Sequence, residues 1–124
     1  EFNPNFADAY YHRGVIYDKQ GDFTRAVYDY TMAIEIDRKY AKAYNSRGLI
    51  YASQGNVAKA ISDYTNAIEI DSSFGEAYGN RAIVYYAARE FKRAWADVRR
   101  AQRLGVELKP DFLDQLKKEF GQDA

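Results

Sequence analysis

Three arginines and three aspartates are the residues best placed for strong, directional chemistry. Arg13, Arg47 and Arg81 stand thirty-four residues apart, and Asp29, Asp63 and Asp97 follow them by sixteen. A guanidinium presents a planar fork of donors that fits a carboxylate through two parallel bonds. The spacing therefore predicts three ion pairs, Arg13–Asp29, Arg47–Asp63 and Arg81–Asp97. Their expected role is to fix the register of the elements that carry them. If partly buried, such a pair specifies geometry more than it stabilises. Catalytic chemistry finds little material. His12 is the sole imidazole and there is no Cys, and no Ser stands out as a partner for that one base. His and Cys clusters for metal chelation are ruled out. The expectation is a non-enzymatic chain with no catalytic residue, metal or cofactor.

The totals narrow the class. At 124 residues the chain is one domain with room for a real core. Eighteen basic and eighteen acidic residues cancel, which argues against a polyanion binder acting through overall charge. Charge is uneven, however: residues 75–109 hold eight basic and four acidic side chains. A solvated outer face is the expected reading of that excess, and a site for an acidic partner is the sharper one. Nucleic acid is not expected as a partner, because no base-stacking aromatics interleave with these arginines. A membrane is not expected either, since no run approaches the ~18 apolar residues of a span.

The elements that hold the Arg and Asp residues come from an internal repeat. Segments starting at Ala7, Ala41 and Gly75 align without a gap. Ala7, Tyr10, Gly14 and Tyr17 step by three and four along one helix stripe, and Val27, Tyr30, Ala33 and Ile34 form another. Gly21-Asp22 and Gly55-Asn56 break the stripes where a left-handed Gly can end a helix. Arg89 takes that place in the third copy, so it is expected at positive φ. Gly14 and Gly48 lie inside helices, at a cost of roughly 1 kcal/mol each against Ala. Close approach of a partner helix is the expected compensation, with Ala26 and Ala60 facing them. "KPDFLDQLKKEFG" reads as a closing helix, with Pro110 and Asp111 in its first turn, Gly121 as its stop, and a stripe of Phe112, Leu113, Leu116 and Phe120.

Each copy carries Ala-Tyr, then Arg three residues on, then Gly or Ala, then Tyr. This period of thirty-four, with Tyr-x2-Arg-Gly-x2-Tyr and Ala-x3-Tyr, resembles the tetratricopeptide repeat over residues 1 to 105. The resemblance implies an all-α fold: a right-handed superhelical solenoid of three antiparallel helix pairs plus a C-terminal capping helix. The boundaries are repeat 1 at 7–40, repeat 2 at 41–74, repeat 3 at 75–108 and the cap at 110–120. Residues 1–6 match the exit of a preceding second helix, so the chain is expected to be a fragment of a longer array.

In this family the first helix of each pair lines a concave groove that grips a peptide or partner helix. Carried over by position, the lining is Asp8, Tyr11, His12, Val15 and Lys19 in repeat 1. In repeat 2 it is Lys42, Asn45, Ser46, Leu49 and Ser53. In repeat 3 it is Glu76, Gly79, Asn80, Ile83, Tyr86 and Ala87. Any solvated helix face also carries Asn, Ser and Tyr, and that plainer reading stands beside the groove. Some co-chaperone members hold a C-terminal carboxylate with Lys, Asn and Arg. The matching places here are Tyr11, Val15, Ser46, Glu76 and Asn80, without a cation, which speaks against a chaperone-tail receptor. The resemblance thus implies a protein-interaction module with a protein or peptide partner. Self-association through the N-terminal edge, where Tyr10, Tyr17 and Tyr30 are candidates for exposure, is the alternative.

Overall fold

A computed structural model describes residues 4–120. The described residues form α1 (Pro4–Lys19), α2 (Phe23–Ile36), α3 (Ala41–Ser53), α4 (Val57–Ile70), α5 (Gly75–Ala87), α6 (Phe91–Arg103) and α7 (Pro110–Phe120), with no strand among them. Successive helices pair as α1 with α2, α3 with α4 and α5 with α6, and the pairs stack through α2–α3 and α4–α5. The result is an all-α helical repeat solenoid. α7 closes the last pair: Leu116 is fully buried with Ala82, Ala94 and Val98, and Phe112 and Leu113 pack around it.

The turn inside each pair is built by backbone bonds. Gly21 has φ +79° and Gly55 φ +77°, and Arg89 adopts φ 61° at the same place. The next residue closes the motif, with Asp22 N donating to Tyr17 O, Asn56 N to Tyr51 O and Glu90 N to Tyr85 O. Asp22 and Asn56 then cap α2 and α4 by accepting from Arg25 N and Lys59 N. Between pairs, Asp37 and Asp71 end the helix in extended backbone and fold their carboxylates onto Lys39 N and Ser73 N. This Asx turn explains the Glu-Ile-Asp that closes α2 and α4.

α1 departs from the expected boundaries. It begins at Pro4, three residues ahead of the periodic start at Ala7. Residues 4–6 form its first turn in this chain. Proline suits that position because its φ is already helical and its missing N–H has no partner there. Residues 1–3, read as part of the exit of a preceding helix, and Gly121, read as the stop of α7, lie outside the described residues.

The glycines inside α1 and α3 answer to a different partner from the one expected. Ala26 and Ala60 are fully buried, but the ring one turn further on sets the spacing. A Cβ on Gly14 would lie 2.8 Å from Tyr30 Cε1, and one on Gly48 2.8 Å from Tyr64 Cε1. In the third pair Ala82 replaces the glycine and Val98 replaces the tyrosine. The smaller partner admits the extra methyl, so the two positions trade volume.

Three ion pairs tie each first helix to its second. Arg13 Nε–Asp29 Oδ2 is 2.7 Å, Arg47 Nη2–Asp63 Oδ1 2.8 Å and Arg81 Nε–Asp97 Oδ2 2.7 Å. Each contact is bidentate, engaging both carboxylate oxygens. The aspartates are buried. The hydrogen bond to its aspartate is the largest cause that raises each arginine's pKa. Two of these guanidiniums reach a third helix: Arg47 Nη1 donates to Thr31 Oγ1 of α2, and Arg81 Nη1 to Thr65 Oγ1 of α4.

Three outcomes follow. Gly48→Ala should lower stability by about 1–3 kcal/mol despite its helix propensity, because it drives a methyl into a ring. Paired with Tyr64→Val, which copies the third repeat, it should cost less than the sum of the two single changes in a denaturant-based double-mutant cycle. Arg47→Ala leaves Asp63 buried without its partner and should cost about 3–5 kcal/mol. Arg13→Ala should cost less, since the Arg13 side chain is 55% exposed against 17% for Arg47. The third outcome concerns alkali. Burial, then the Asp18 carboxylate, pushes up the Tyr30 phenol; burial, then a bond to Asp8, does so for Tyr40; burial, then Asp63, for Tyr64. An unfolded tyrosine titrates near about pH 10. Stability from these phenols is complete below that pH and is lost as pH rises through the folded values. Phenolate absorbance should therefore finish rising only as helical circular dichroism is lost.

Candidate functional site

α1, α3 and α5 present successive faces to one side of the solenoid, and the α6–α7 linker joins that side at its C-terminal end. There the surface sinks into a cavity of about 380 Å³. Asn45, Leu49, Glu76, Asn80 and Ile83 line it from α3 and α5, and Val106 to Lys109 and Phe112 from the linker and α7. Leu49 is 46% exposed and Ile83 48%. They occupy the same place in consecutive repeats, so two large apolar side chains stand side by side in water. Asn80 Nδ2 donates to Asn45 Oδ1 at 3.1 Å. That bond leaves the Asn45 amide N–H groups and the Asn80 carbonyl with capacity for further bonds. Asn45 is buried, so Asn80 is the more accessible of the two.

The linker reaches this place because α5 is thin there. A Cβ on Gly75 would lie 2.6 Å from Val106 Cγ2, and one on Gly79 3.0 Å from Leu108 Cδ2. The two glycines let extended chain lie on the helix and form one wall of the cavity. The reading by position did not include Val106, Leu108 or Phe112. A signal was present in the long α6–α7 interval with apolar residues at alternate places, above a first helix holding Gly at two positions one turn apart.

The other candidate lining residues divide. His12, Lys19, Lys42 and Ala87 are exposed on their helices, and Ser46 is half-buried. Ser53 is exposed and bonds back onto its own helix, donating to Ile50 O. Asp8 is engaged, accepting from the Tyr40 hydroxyl at 2.7 Å. Tyr11 is taken up in packing between repeats, its ring 5.7 Å from Tyr30 and 5.1 Å from Tyr40. Val15 packs in the cluster of Ala26, Tyr30 and Ile50. Tyr86 meets Phe91 and Phe112 beneath the cap. An aromatic or β-branched residue one step off a core stripe is drawn into the seam between stacked pairs, and a single-helix periodicity cannot show that seam. Of the set, the cavity unites Asn45, Leu49, Glu76, Gly79, Asn80 and Ile83.

The arginines of the third pair lie mainly on the outer side of the stack. Arg93 meets Glu90 at 3.1 Å, Arg99 lies over Trp95, and Arg100 lies over Tyr78. Among the described residues, no group of three or more His, Cys, Asp or Glu could hold a metal ion, and no helix is long and apolar enough to cross a membrane.

Comparison with known proteins places this geometry. Curated protein sequences give no match. Solved structures do. The Arabidopsis OM64 TPR domain superposes with a TM-score of 0.86 at 26% identity, over 93% of this chain and 97% of that one. The second TPR of Spaghetti (RPAP3), bound to the HSP90 peptide SRMEEVD, gives 0.80 at 26%, over 82% and 94%. The TPR2AB domain of yeast Sti1, in its pHSP90 complex, gives 0.83 at 28%, over 95% of this chain and 47% of that one. The tetratricopeptide repeat family model matches residues 7–40 and 41–74, the two repeats that keep the Gly and Tyr interlock. These two matches span more than half of the 124 residues, and the chain belongs to the tetratricopeptide repeat family.

Proposed function

We propose that this chain is a non-catalytic interaction module that holds a polypeptide segment along the side formed by α1, α3 and α5. The supporting observation is the pair Leu49 and Ile83, exposed side by side above the cavity that Asn80 borders. An apolar side chain of the bound segment fills the cavity, and its backbone meets the Asn80 amide. Two relatives of the same fold are described in complexes with HSP90 or its peptide, which supports a polypeptide ligand.

The ligand's charge differs from theirs. SRMEEVD ends in acidic residues. The cavity here is lined by Glu76 and Glu107 against one cation, Lys109. Like charges facing each other at a binding surface disfavour the wrong partner. The preferred segment is therefore apolar with neutral or basic neighbours. It is also read internally, since the cavity offers no cluster of cations for a chain-terminal carboxylate.

Peptides selected from a random display library should carry an apolar anchor with few acidic neighbours. Their affinity should fall at least about tenfold, roughly 1.4 kcal/mol, in Ile83→Asp and Leu49→Asp. Both residues are exposed, so the melting temperature should hold. SRMEEVD should bind more weakly than any selected peptide. Selected peptides that bind both variants as well as the parent, or a preference for SRMEEVD, would contradict the assignment.

A further inference from the structure

Along the outer side of α6, Lys92, Ala96, Arg99 and Arg103 follow at steps of four, three and four, one stripe of the helix. The same places in α2 are Thr24, Tyr28, Thr31 and Glu35, and in α4 Ala58, Ser62, Thr65 and Glu69. A stripe that ends on a carboxylate in two pairs becomes cationic in the third. Its exposure belongs to the repeat position. Thr24, Tyr28 and Glu35 are exposed although the second pair stacks on theirs, and Ala58, Ser62 and Glu69 although the third does, as are Lys92, Ala96 and Arg103. Arg99 stands where Thr31 and Thr65 accept from the arginine of the next helix. In α7 the place of that arginine is held by Gln115. Arg99 is exposed and lies over Trp95, 5.7 Å from the ring centroid.

The chain itself makes little use of these cations. α6 holds one carboxylate, Asp97, which is buried and bound by Arg81. Arg93 meets Glu90, and Arg100 donates to Ser72 O. Among the described residues, Lys92, Arg99 and Arg103 have no ion-pair partner. Arg99 and Arg103, four apart on one helix, repel each other. A cation in the last turn complements the helix dipole, but α2 and α4 carry Glu35 and Glu69 in that turn, so the fold does not require one.

We propose that the Lys92, Arg99 and Arg103 strip is a second interaction surface and takes a short acidic segment of another protein. None of the three lines the cavity beside Leu49 and Ile83. The strip runs roughly 16 Å along the helix axis, the reach of about five extended residues. The contact with Trp95 already orders Arg99, which lowers the cost of meeting a carboxylate. A nucleic acid fits worse, because its charge continues past the strip. There α4 holds Glu69 at the place of Arg103, and the linker holds Glu107. Trp95 packs into the cluster under the cap and has Arg99 over its ring, so it offers no open face to a base.

The probe is blocked hexaglutamate, titrated into isotope-labelled protein at an ionic strength of about 20 mM, where exposed charges are weakly screened. It should bind saturably and shift the α6 amides and the Nε–H signals of Arg99 and Arg103, leaving Leu49 and Ile83 unmoved. Arg99→Glu/Arg103→Glu should weaken it at least about tenfold, because two attractive charges become repulsive. Both side chains are exposed, so circular dichroism should hold. Arg38→Glu/Lys39→Glu makes the same change of net charge in the α2–α3 turn and should alter affinity by less than about twofold. A thymidine hexanucleotide should bind more weakly than hexaglutamate. The proposal is overturned by an absence of saturable binding, by equal losses in the two double variants, by shifts centred on the cavity, or by tighter binding of the oligonucleotide. Concentration-dependent shifts of α6 in the protein alone, which mark a second copy as the occupant, would also overturn it.

Discussion

One guanidinium in each of the later repeats joins three helices, and the placement of the rest follows from it. Arg47 holds Asp63 of its own pair and Thr31 of the pair before, and Arg81 repeats this with Asp97 and Thr65. A buried ion pair brings little net stability once desolvation is counted, yet breaking it leaves a charge stranded. Its value lies in register. The fork geometry accepts one alignment of the two helices in a pair and one alignment of that pair on its neighbour. The Gly48–Tyr64 contact agrees with that register, since the ring fits only where the opposite helix lacks a Cβ.

Register converts a periodic sequence into a surface. Because every pair stacks in the same way, residues at one repeat position line up along the solenoid, and Leu49 and Ile83 become neighbours though thirty-four residues apart. The cap and its linker do more than end the stack, because Leu108 and Phe112 complete the wall of the cavity. The cavity is therefore built where the repeat gives way to a unique sequence. A uniform array offers a smooth trough, and the irregular end supplies depth.

Much of the architecture was legible in the chain because punctuation is local. Gly21 and Gly55 mark left-handed turns by type alone, and Arg89 is read from its place in the alignment with them. The sixteen-residue interval puts Arg opposite Asp once two helices of known length fold back. What was not legible depended on a neighbour. Ala26 and Tyr30 are both buried on one stripe, and nothing along α2 says which of them meets Gly14. Tyr11, Val15 and Tyr86 sit one step from the core stripe, and only the stacked helices show that the inter-repeat seam takes in the first two and the cap covers the third. Val106 and Leu108 belong to no helix period at all, so their place in the site rests on the glycines of α5. Residues 4–6 match an inter-repeat connection by position, while Pro4 also suits a helix start.

The central claim is that the arginine of each repeat is a fixed tie and not a solvated surface charge. Side-chain hydrogen exchange, read at the three Nε–H groups by nuclear magnetic resonance, tests it most directly. The account predicts slow exchange for Arg47 and Arg81, which are held on three helices, and faster exchange for Arg13, which is held on two and half open to water. Exchange at all three as rapid as at the exposed Arg38 would contradict it.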